Sequence, residues 1–201
     1  MFNTVVVAGS AIALACTTDA HAQSATIQVF HNYFDGIIDP GQVVRIDYYL
    51  TWEAMPYLAT MRGDAVVSPN RGVASNLVFG FNHGQSTSTT TPGLPDGGSV
   101  RGFSAQHFPV SGFVAAGYTW SPLGITALSY EWTAPSAADA GTYEFTFEFD
   151  AQWPSVYLYP GVQTGFVAVP TTVVPMTLTV IPAPASLALV LAAMAIPRRR
   201  H

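Results

Sequence analysis

Apolar and polar residues alternate along two segments of the chain, Gln42–Trp52 and Tyr143–Asp150. In the first segment the even positions from Val44 to Trp52 are all apolar, and the odd positions include Arg45 and Asp47. In the second segment Tyr and Phe occupy the odd positions, and Glu, Thr and Asp occupy the even ones. A period of two directs one face of a strand to a core and the other to water. Both segments are therefore predicted to be half-buried β-strands.

Shorter apolar runs extend this pattern across the body of the chain. The further strand candidates are Thr26–Phe34, Ala65–Val67, Ser75–Phe81, Gly112–Tyr118, Ala127–Thr133, Gly165–Val169 and Val174–Val180. Turn-forming groups such as Asp39-Pro40-Gly41 separate them. No helical period is sustained between Gln23 and Val180, and we expect short helical turns only in Glu53–Arg62. This pattern predicts an all-β fold, an antiparallel β-sandwich, with immunoglobulin-like and jelly-roll-like strand orders both open.

One polar segment interrupts the strand pattern, at Gly84–Ser99. It contains Gln-Ser-Thr-Ser-Thr-Thr-Thr, followed by Pro-Gly-Leu-Pro-Asp-Gly-Gly, and has no apolar period. A long loop can carry function, but a sequence this simple is more often only solvated. We predict a long exposed loop here.

The segment Asp139-Ala140-Gly141-Thr142-Tyr143-Glu144-Phe145 resembles the D-x-G-x-Y-x-C segment that opens strand F of immunoglobulin domains. Phe145 occupies the cysteine position. The resemblance implies a structural role, in which the Tyr143 hydroxyl bonds back to the preceding loop and Phe145 packs between the sheets. Trp52 is the candidate for the core tryptophan.

Residues 1–22 have the features of a secretory signal peptide and are predicted to form a signal helix. Val5–Ala15 is the apolar region, and Ala20-His21-Ala22 is a cleavage site of the A-x-A type, with Ala20 and Ala22 as its small residues. A lipoprotein site at Cys16 is the alternative. Since Cys16 is the one cysteine of the chain, cleavage after Ala22 removes any thiol or disulfide.

The chain ends in three parts: Pro182-Ala183-Pro184, the apolar run Leu187–Ile196, and Arg198, Arg199 and Arg200. A ten-residue helix covers about 15 Å, half the hydrocarbon thickness of a bilayer. Terminal arginines favour the cytoplasmic face of a membrane. We therefore predict a short hydrophobic helix that engages the membrane only marginally.

This tail resembles the PEP-CTERM sorting signal of Gram-negative bacteria, in which a Pro-x-Pro motif precedes a transmembrane stretch and an arginine cluster. The family's central Glu is Ala183 in this chain. The resemblance implies export, processing by an exosortase near Pro182–Pro184, transient anchoring in the inner membrane, and delivery to the cell surface or exopolysaccharide matrix. The alternatives are an ordinary tail anchor, or a buried C-terminal strand followed by a basic tail.

Three regions follow: the signal peptide at 1–22, a sandwich domain at 23–180, and a sorting signal at 181–201. The body between signal and tail is long enough for one domain with a core. Its four arginines stand against eleven acids, a formal charge of −7, and the chain has no lysine. No basic patch is available to neutralise phosphates, which argues against nucleic acid as a partner.

The body offers little patterned chemistry. Its histidines lack the close spacing of metal ligands, and no G-x-S-x-G elbow is present. We therefore expect no metal site, no cofactor and no catalysis. Two alternatives stay open: a carboxylate pair at Glu131 and Asp150 for glycoside hydrolysis, and calcium bound through a set of acids near a turn. The histidines are His31, His83 and His107, and the acids of the calcium alternative are Asp35, Asp39 and Asp47.

Aromatic residues offer the best alternative to a purely structural body. Trp and Tyr can stack sugar rings, although in sandwiches they normally fill the core. The candidates are Trp120, Trp132, Trp153, Tyr157 and Tyr159. Of these, Trp153, Tyr157 and Tyr159 form the most loop-like group and are the predicted sugar-stacking residues. The sequence thus favours an exported, non-enzymatic surface or matrix protein, with a carbohydrate-binding module acting on exopolysaccharide as the alternative.

Overall fold

The computed structural model describes residues 24–53, 57–80, 91–106, 124–159 and 165–182. These residues form thirteen β-strands and one short 3₁₀ helix, Ala137–Asp139. The strands are β1 Ala25–His31, β2 Ile37–Ile38, β3 Val43–Trp52, β4 Tyr57–Ser68, β5 Val73–Phe79, β6 Leu94–Asp96, β7 Ser99–Gln106, β8 Ile125–Thr133, β9 Gly141–Phe149, β10 Val156–Tyr159, β11 Val167–Val169, β12 Thr171–Val174 and β13 Met176–Val180. The predicted signal peptide, the strand candidate Gly112–Tyr118 and the tail from Ala183 lie outside the described residues.

The strands form two sheets that pack face to face as a sandwich. The first has five strands in the order β12-β1-β3-β8-β5. The second has the order β11-β10-β4-β9-β13-β2, with β7 also paired to β4 and β6 paired to β7. Most pairs are antiparallel, while β1 with β12 and β13 with β2 are parallel. The all-β sandwich predicted from the alternation is confirmed.

Seven strands, namely β1, β3, β4, β5, β8, β9 and β13, define the topology. Their spatial order is β1-β3-β8-β5 in one sheet and β4-β9-β13 in the other. Lettered A to G along the chain, these strands have the ABED and CFG order of constant-type immunoglobulin domains. The sequence left this order open against a jelly roll, because it depends on which strands become neighbours. The hairpins β6–β7 and β10–β11, with β2 and β12, are additions to that frame.

The alternation that predicted the two longest strands matches their burial. Val44, Ile46, Tyr48, Leu50 and Trp52 are all buried on β3, and so are Tyr143, Phe145 and Phe147 on β9. Phe149, at the end of β9, is partly buried and packs against this core. One face of each strand therefore builds the core between the sheets.

The turn that enters β9 has the predicted corner. The hydroxyl of Tyr143 donates to the carbonyl of Asp139 in the short 3₁₀ helix. Phe145 lies edge-on to Trp132 on β8, with ring centroids 5.1 Å apart. Trp52 is buried as expected, but Trp132 is the tryptophan that packs against Phe145 and Tyr143.

Two local predictions were wrong. Residues 57–62 of the segment predicted to form helical turns belong to β4, where Leu58, Ala59, Thr60 and Met61 are all buried, so no alternation marks the strand. The exposed-loop prediction for Gly84–Ser99 fails at its C-terminal part. There β6 pairs with β7, and the amide of Gly98 and the hydroxyl of Ser99 both donate to Asn70. Those partners lie 28 and 29 residues away along the chain, beyond the reach of a local pattern.

The sandwich has two ends, which position everything that follows. At the corner end, Val43 pairs with Thr133 and Val180 pairs with Gly141. At the far end, Ala25 pairs with Trp52, and β9 ends at Phe149. The described chain therefore enters at the far end and leaves from the corner end.

Candidate functional site

Four aromatic side chains meet at the far end, beside the β10–β11 hairpin. Trp153 and Tyr157 have ring centroids 5.0 Å apart, and Phe166 lies 5.6 Å from Trp153 and 5.7 Å from Tyr157. Tyr159 contacts the same Phe166 ring at 6.1 Å. We call Trp153, Tyr157, Tyr159 and Phe166 the aromatic cluster. The structure thus brings the three predicted sugar-stacking residues together.

The rings of the aromatic cluster meet at steep angles. Three of the four contacts are edge-to-face, with interplanar angles of 79° to 85°, and the Trp153–Phe166 pair is tilted at 48°. Tyr159 is buried, Trp153 and Tyr157 are half-buried, and Phe166 is 39% exposed. Burial raises the pKa of the Tyr159 hydroxyl above its ordinary value. The cluster therefore presents ring edges and partial faces rather than one flat platform.

Phe166 is the residue that sequence reasoning missed. It lies seven or more residues from the other three members of the cluster. The pairing of β10 with β11, in which Tyr157 faces Ala168 and Leu158 faces Val167, brings it back beside them. Its position inside a predicted strand, Gly165–Val169, was the available signal. Of the other aromatic candidates, Trp132 is in the core and Trp120 lies outside the described residues.

A surface cavity of about 320 Å³ lies on the outer face of the second sheet, next to the end of β9. Arg62 and Asp64 of β4 line it, together with Glu148 of β9 and Asp150. Asp64 and Glu148 are direct cross-strand partners, which places their Cβ atoms about 5 Å apart. The paired row of Phe103, Gly63 and Phe149 is also part of the lining, as are Gly102 and Ala151. We call this the polar cavity.

Guanidinium groups compensate two of the three carboxylates in the polar cavity. Arg62 lies 3.6 Å from Asp150, and Arg101 lies 2.9 Å from Asp64 and 3.2 Å from Asp96. Hydrogen bonds to Asp64 and then to Asp96 raise the pKa of the Arg101 guanidinium, so it stays cationic. Glu148 is exposed, and its side chain has no hydrogen bond or ion pair within the described part of the chain. The cavity thus offers one uncommitted carboxylate beside two paired ones.

The polar cavity and the aromatic cluster are joined by one β-turn. The amide of Trp153 donates to the carbonyl of Asp150 at 2.8 Å, and the amide of Gln152 donates to the Asp150 carboxylate at 2.8 Å. An i to i+3 bond of this kind holds the two Cα atoms within about 7 Å. Asp150, a cavity residue, therefore fixes the position of Trp153, a cluster residue.

The other chemical alternatives do not assemble. Glu131 is on β8 in the first sheet, whereas Asp150 follows β9 in the second, so this carboxylate pair does not converge. The acids of the calcium alternative are apart as well: Asp47 pairs with Arg45, and Asp35 accepts the amide of Ile37. Among the described residues no three His, Cys, Asp or Glu side chains are grouped as metal ligands. His31 accepts the amide of Tyr33, and His83 and His107 lie outside the described residues.

The sorting residues lie at or beyond the end of the described chain. Pro182 is exposed, two residues after β13. Ala183, Pro184 and Arg198–Arg200 lie outside the described residues, as do Ala20 and Ala22 of the signal cleavage site. Within the described ranges no helix is long and apolar enough to cross a membrane.

No family model and no curated protein matches the chain. Three solved structures to which it is similar are cohesin modules. One is the seventh ScaB type I cohesin of Pseudobacteroides cellulosolvens, with 10% identity over 80% of this chain and 93% of that chain, at a TM-score of 0.49. The third ScaC cohesin of Acetivibrio cellulolyticus, solved with the ScaB dockerin, has 14% identity over 79% of this chain and 99% of that chain, at a TM-score of 0.48. The second type II cohesin of the ScaA scaffoldin of Acetivibrio cellulolyticus has 10% identity over 81% of this chain and 99% of that chain, at a TM-score of 0.47.

Proposed function

We propose that the chain is an exported protein of the cell surface or exopolysaccharide matrix, with a structural or adhesive, non-enzymatic sandwich. Sorting runs through the C-terminal tail, which engages the inner membrane transiently and is processed by an exosortase-type enzyme. The order of Pro182–Pro184, the run Leu187–Ile196 and Arg198–Arg200 supports this proposal. The resemblance of that order to a known sorting signal gives the destination.

The boundaries of the sandwich are the observation that carries the proposal. The first strand begins at Ala25, three residues after the predicted cleavage at Ala22, and the last ends at Val180, two residues before Pro182. Cleavage at both places would therefore leave every described strand intact. Processing at the signal peptide and then at the tail is compatible with a folded sandwich only if both cleavage points lie outside its strands, as they do here.

Fractionation of the host, with intact-mass analysis of the protein found outside the cells, tests this proposal. We expect a product that lacks residues 1–22 and the arginine tail. A mature product that keeps Arg198–Arg200 would contradict processing of the tail. A product that remains in the cytoplasm would contradict export as well.

Substitutions in the tail make the test specific. Pro184→Ala is expected to lower the processed fraction, because the Pro-x-Pro motif is the proposed recognition element. Ala183→Glu restores the family's central residue and is expected to raise it. Ser186→Ala is the matched control, since it lies between the motif and the apolar run and belongs to neither. Equal processing of all four chains would remove the motif from the proposal.

Carbohydrate binding is the second candidate function, and the aromatic cluster favours it. Trp153, Tyr157 and Phe166 are in mutual contact on the surface of the far end. Partly exposed rings contribute less to folding stability than buried ones, and a contiguous exposed apolar patch often marks a binding site. Aromatic rings supply large contact area at low entropic cost, which suits the apolar faces of sugars. Binding of exopolysaccharide by the purified protein, and its loss in Trp153→Ala, tests this candidate.

A further inference from the structure

We propose that the aromatic cluster and the polar cavity form one binding site, and that its ligand is a neutral, hydroxyl-rich polysaccharide. This inference rests on the second candidate function and extends it. The cluster alone would accept any apolar surface. The cavity adjoining it supplies the chemistry that restricts the ligand.

The two halves of the site are continuous because the Asp150–Trp153 turn connects them. Ala151 and Gln152, the central residues of that turn, are exposed, so a chain lying across the turn meets both halves. The Asp150 carboxylate accepts the Gln152 amide and lies 3.6 Å from Arg62. Those two contacts hold the turn against the cavity, which makes Asp150 a positioning residue for Trp153.

The polar cavity fits hydroxyl groups because it presents donors and acceptors side by side. Glu148 is exposed and uncommitted, and the side chains of Arg62 and Asp64 are 31% and 33% exposed. A sugar hydroxyl both donates and accepts, so it can bridge a carboxylate and a neighbouring guanidinium. Hydrogen bonds to charged groups are also stronger than those between neutral groups.

Charge decides against an acidic ligand. Around the cavity, the carboxylates of Asp64, Asp96, Glu148 and Asp150 face the guanidiniums of Arg62 and Arg101, a formal balance of −2. The body as a whole has four arginines against eleven acids. A polysaccharide bearing carboxylate or sulfate groups would be repelled at short range and steered away at long range. The ligand class left is neutral.

The experiment uses the full chain, purified in mild detergent, and the exopolysaccharide of the host separated by anion exchange into neutral and acidic fractions. Binding is followed by tryptophan fluorescence and by affinity electrophoresis. Trp153→Ala tests the aromatic half, and Glu148→Gln tests the polar half without breaking a described ion pair. Glu144→Gln is the matched control, on the same outer face of β9 but four residues nearer the corner end. Phe30→Ala removes an exposed ring on the opposite sheet.

We expect the wild-type chain to bind the neutral fraction more tightly than the acidic one. Trp153→Ala should weaken neutral binding about tenfold, and Glu148→Gln several-fold to about tenfold, the effect of replacing a charged hydrogen-bond acceptor with a neutral amide. Glu148→Gln should also strengthen binding of the acidic fraction, which a merely structural role would not produce. Both controls should bind like the wild type, and Glu148→Gln should unfold at the same temperature as Glu144→Gln.

Three other outcomes would each contradict a different part of the proposal. If Trp153→Ala abolishes binding while Glu148→Gln behaves like Glu144→Gln, carbohydrate binding stands and the extended site is wrong. If the wild type binds neither fraction, the second candidate function fails too, while export and tail processing are judged separately by fractionation. Release of new reducing ends from the neutral fraction would show hydrolysis and overturn a site that only binds.

Discussion

Removal of one hydroxyl group tests the corner that enters β9. In Tyr143→Phe, the hydrogen bond to the Asp139 carbonyl is lost, while the ring keeps its place. The ring packs against Trp132 with centroids 5.3 Å apart, and Tyr143 is only 2% exposed. The substitution therefore separates the hydrogen bond from the packing of the same side chain.

The magnitude follows from what each atom does. A net hydrogen bond contributes about 1 kcal/mol to the free energy of unfolding. Asp139 is exposed, so its carbonyl can bind water after the substitution and adds no large desolvation cost. We expect Tyr143→Phe to lose about 1 kcal/mol, which lowers the melting temperature by roughly 2–4 °C for a domain of this size. Tyr143→Ala, which also empties the ring's site, should lose about 3–5 kcal/mol.

Urea unfolding followed by tryptophan fluorescence measures both losses, since Trp132 lies beside the substituted ring. The dependence of the free energy on urea should stay the same, because neither change alters the surface exposed on unfolding by much. Tyr49→Phe is the control, a half-buried tyrosine on the outer face of β3 that packs on Phe30, with no hydrogen bond from its hydroxyl in the described structure. It should stay within about 0.5 kcal/mol of the wild type. If Tyr143→Phe matches this control, the corner bond makes no contribution and the reasoning is refuted.

Three further predictions concern the sandwich. Ser99→Ala should lower the free energy of unfolding by about 1–3 kcal/mol, because the buried amide of Val67 loses the Ser99 hydroxyl that accepts its hydrogen bond at 3.1 Å. An unchanged midpoint in urea unfolding would contradict this. Burial holds the pKa of Tyr48 well above 10 in the folded chain, whereas in the unfolded chain Tyr48 ionises near pH 10. The contribution of Tyr48 to the free energy of unfolding is therefore complete below pH 10 and falls by about 1.4 kcal/mol per pH unit above it. Unfolding measured from pH 9 to 12 should therefore show a shallower alkaline decline in Tyr48→Phe. Gly72→Ala should lower the melting temperature more than Gly41→Ala. Both glycines have a positive φ (79° and 75°), but a Cβ at Gly72 would lie 2.5 Å from a carbonyl oxygen of β8, whereas a Cβ at Gly41 would meet no atom within 4 Å. Equal melting temperatures would contradict the steric argument.

The sequence predicted the parts of the fold that depend on local periodicity. The alternation in β3 and β9 and the all-β class follow from which residues must face a core. The corner tyrosine was implied instead by the resemblance of the segment around Tyr143 to the start of strand F in immunoglobulin domains. The failures have one cause, which is that their determinants are distant in sequence. β4 lacks alternation because Leu58, Ala59, Thr60 and Met61 are buried together, and β6 depends on pairing with a neighbouring strand.

The candidate site shows the same division. Trp153, Tyr157 and Tyr159 were predictable because they are close in sequence. Phe166 joins them only through the β10–β11 pairing, and Asp64 meets Glu148 only because β4 and β9 become neighbours. Sequence reasoning paired Asp150 with Glu131 instead, since strand order decides which carboxylates share a sheet. A site assembled across strands is therefore visible from sequence only in the segment that contributes consecutive residues.

The two proposals are linked by the polarity of the sandwich. The chain leaves from the corner end at Val180, beside Gly141, while the proposed site begins at Glu148, seven residues along β9. At 3.3 Å per residue that separation is roughly 23 Å. The six residues Ile181–Ser186 can span at most about 22 Å before the apolar run begins, so a molecule held by the proposed tail segment would keep its corner end nearer the bilayer than its far end. The site would then meet matrix polysaccharide before and after the tail is cleaved. Because the proposed cleavage point is at the opposite end, the uncleaved and processed proteins should bind the neutral fraction with the same affinity, and a large difference between them would place the site near the tail instead.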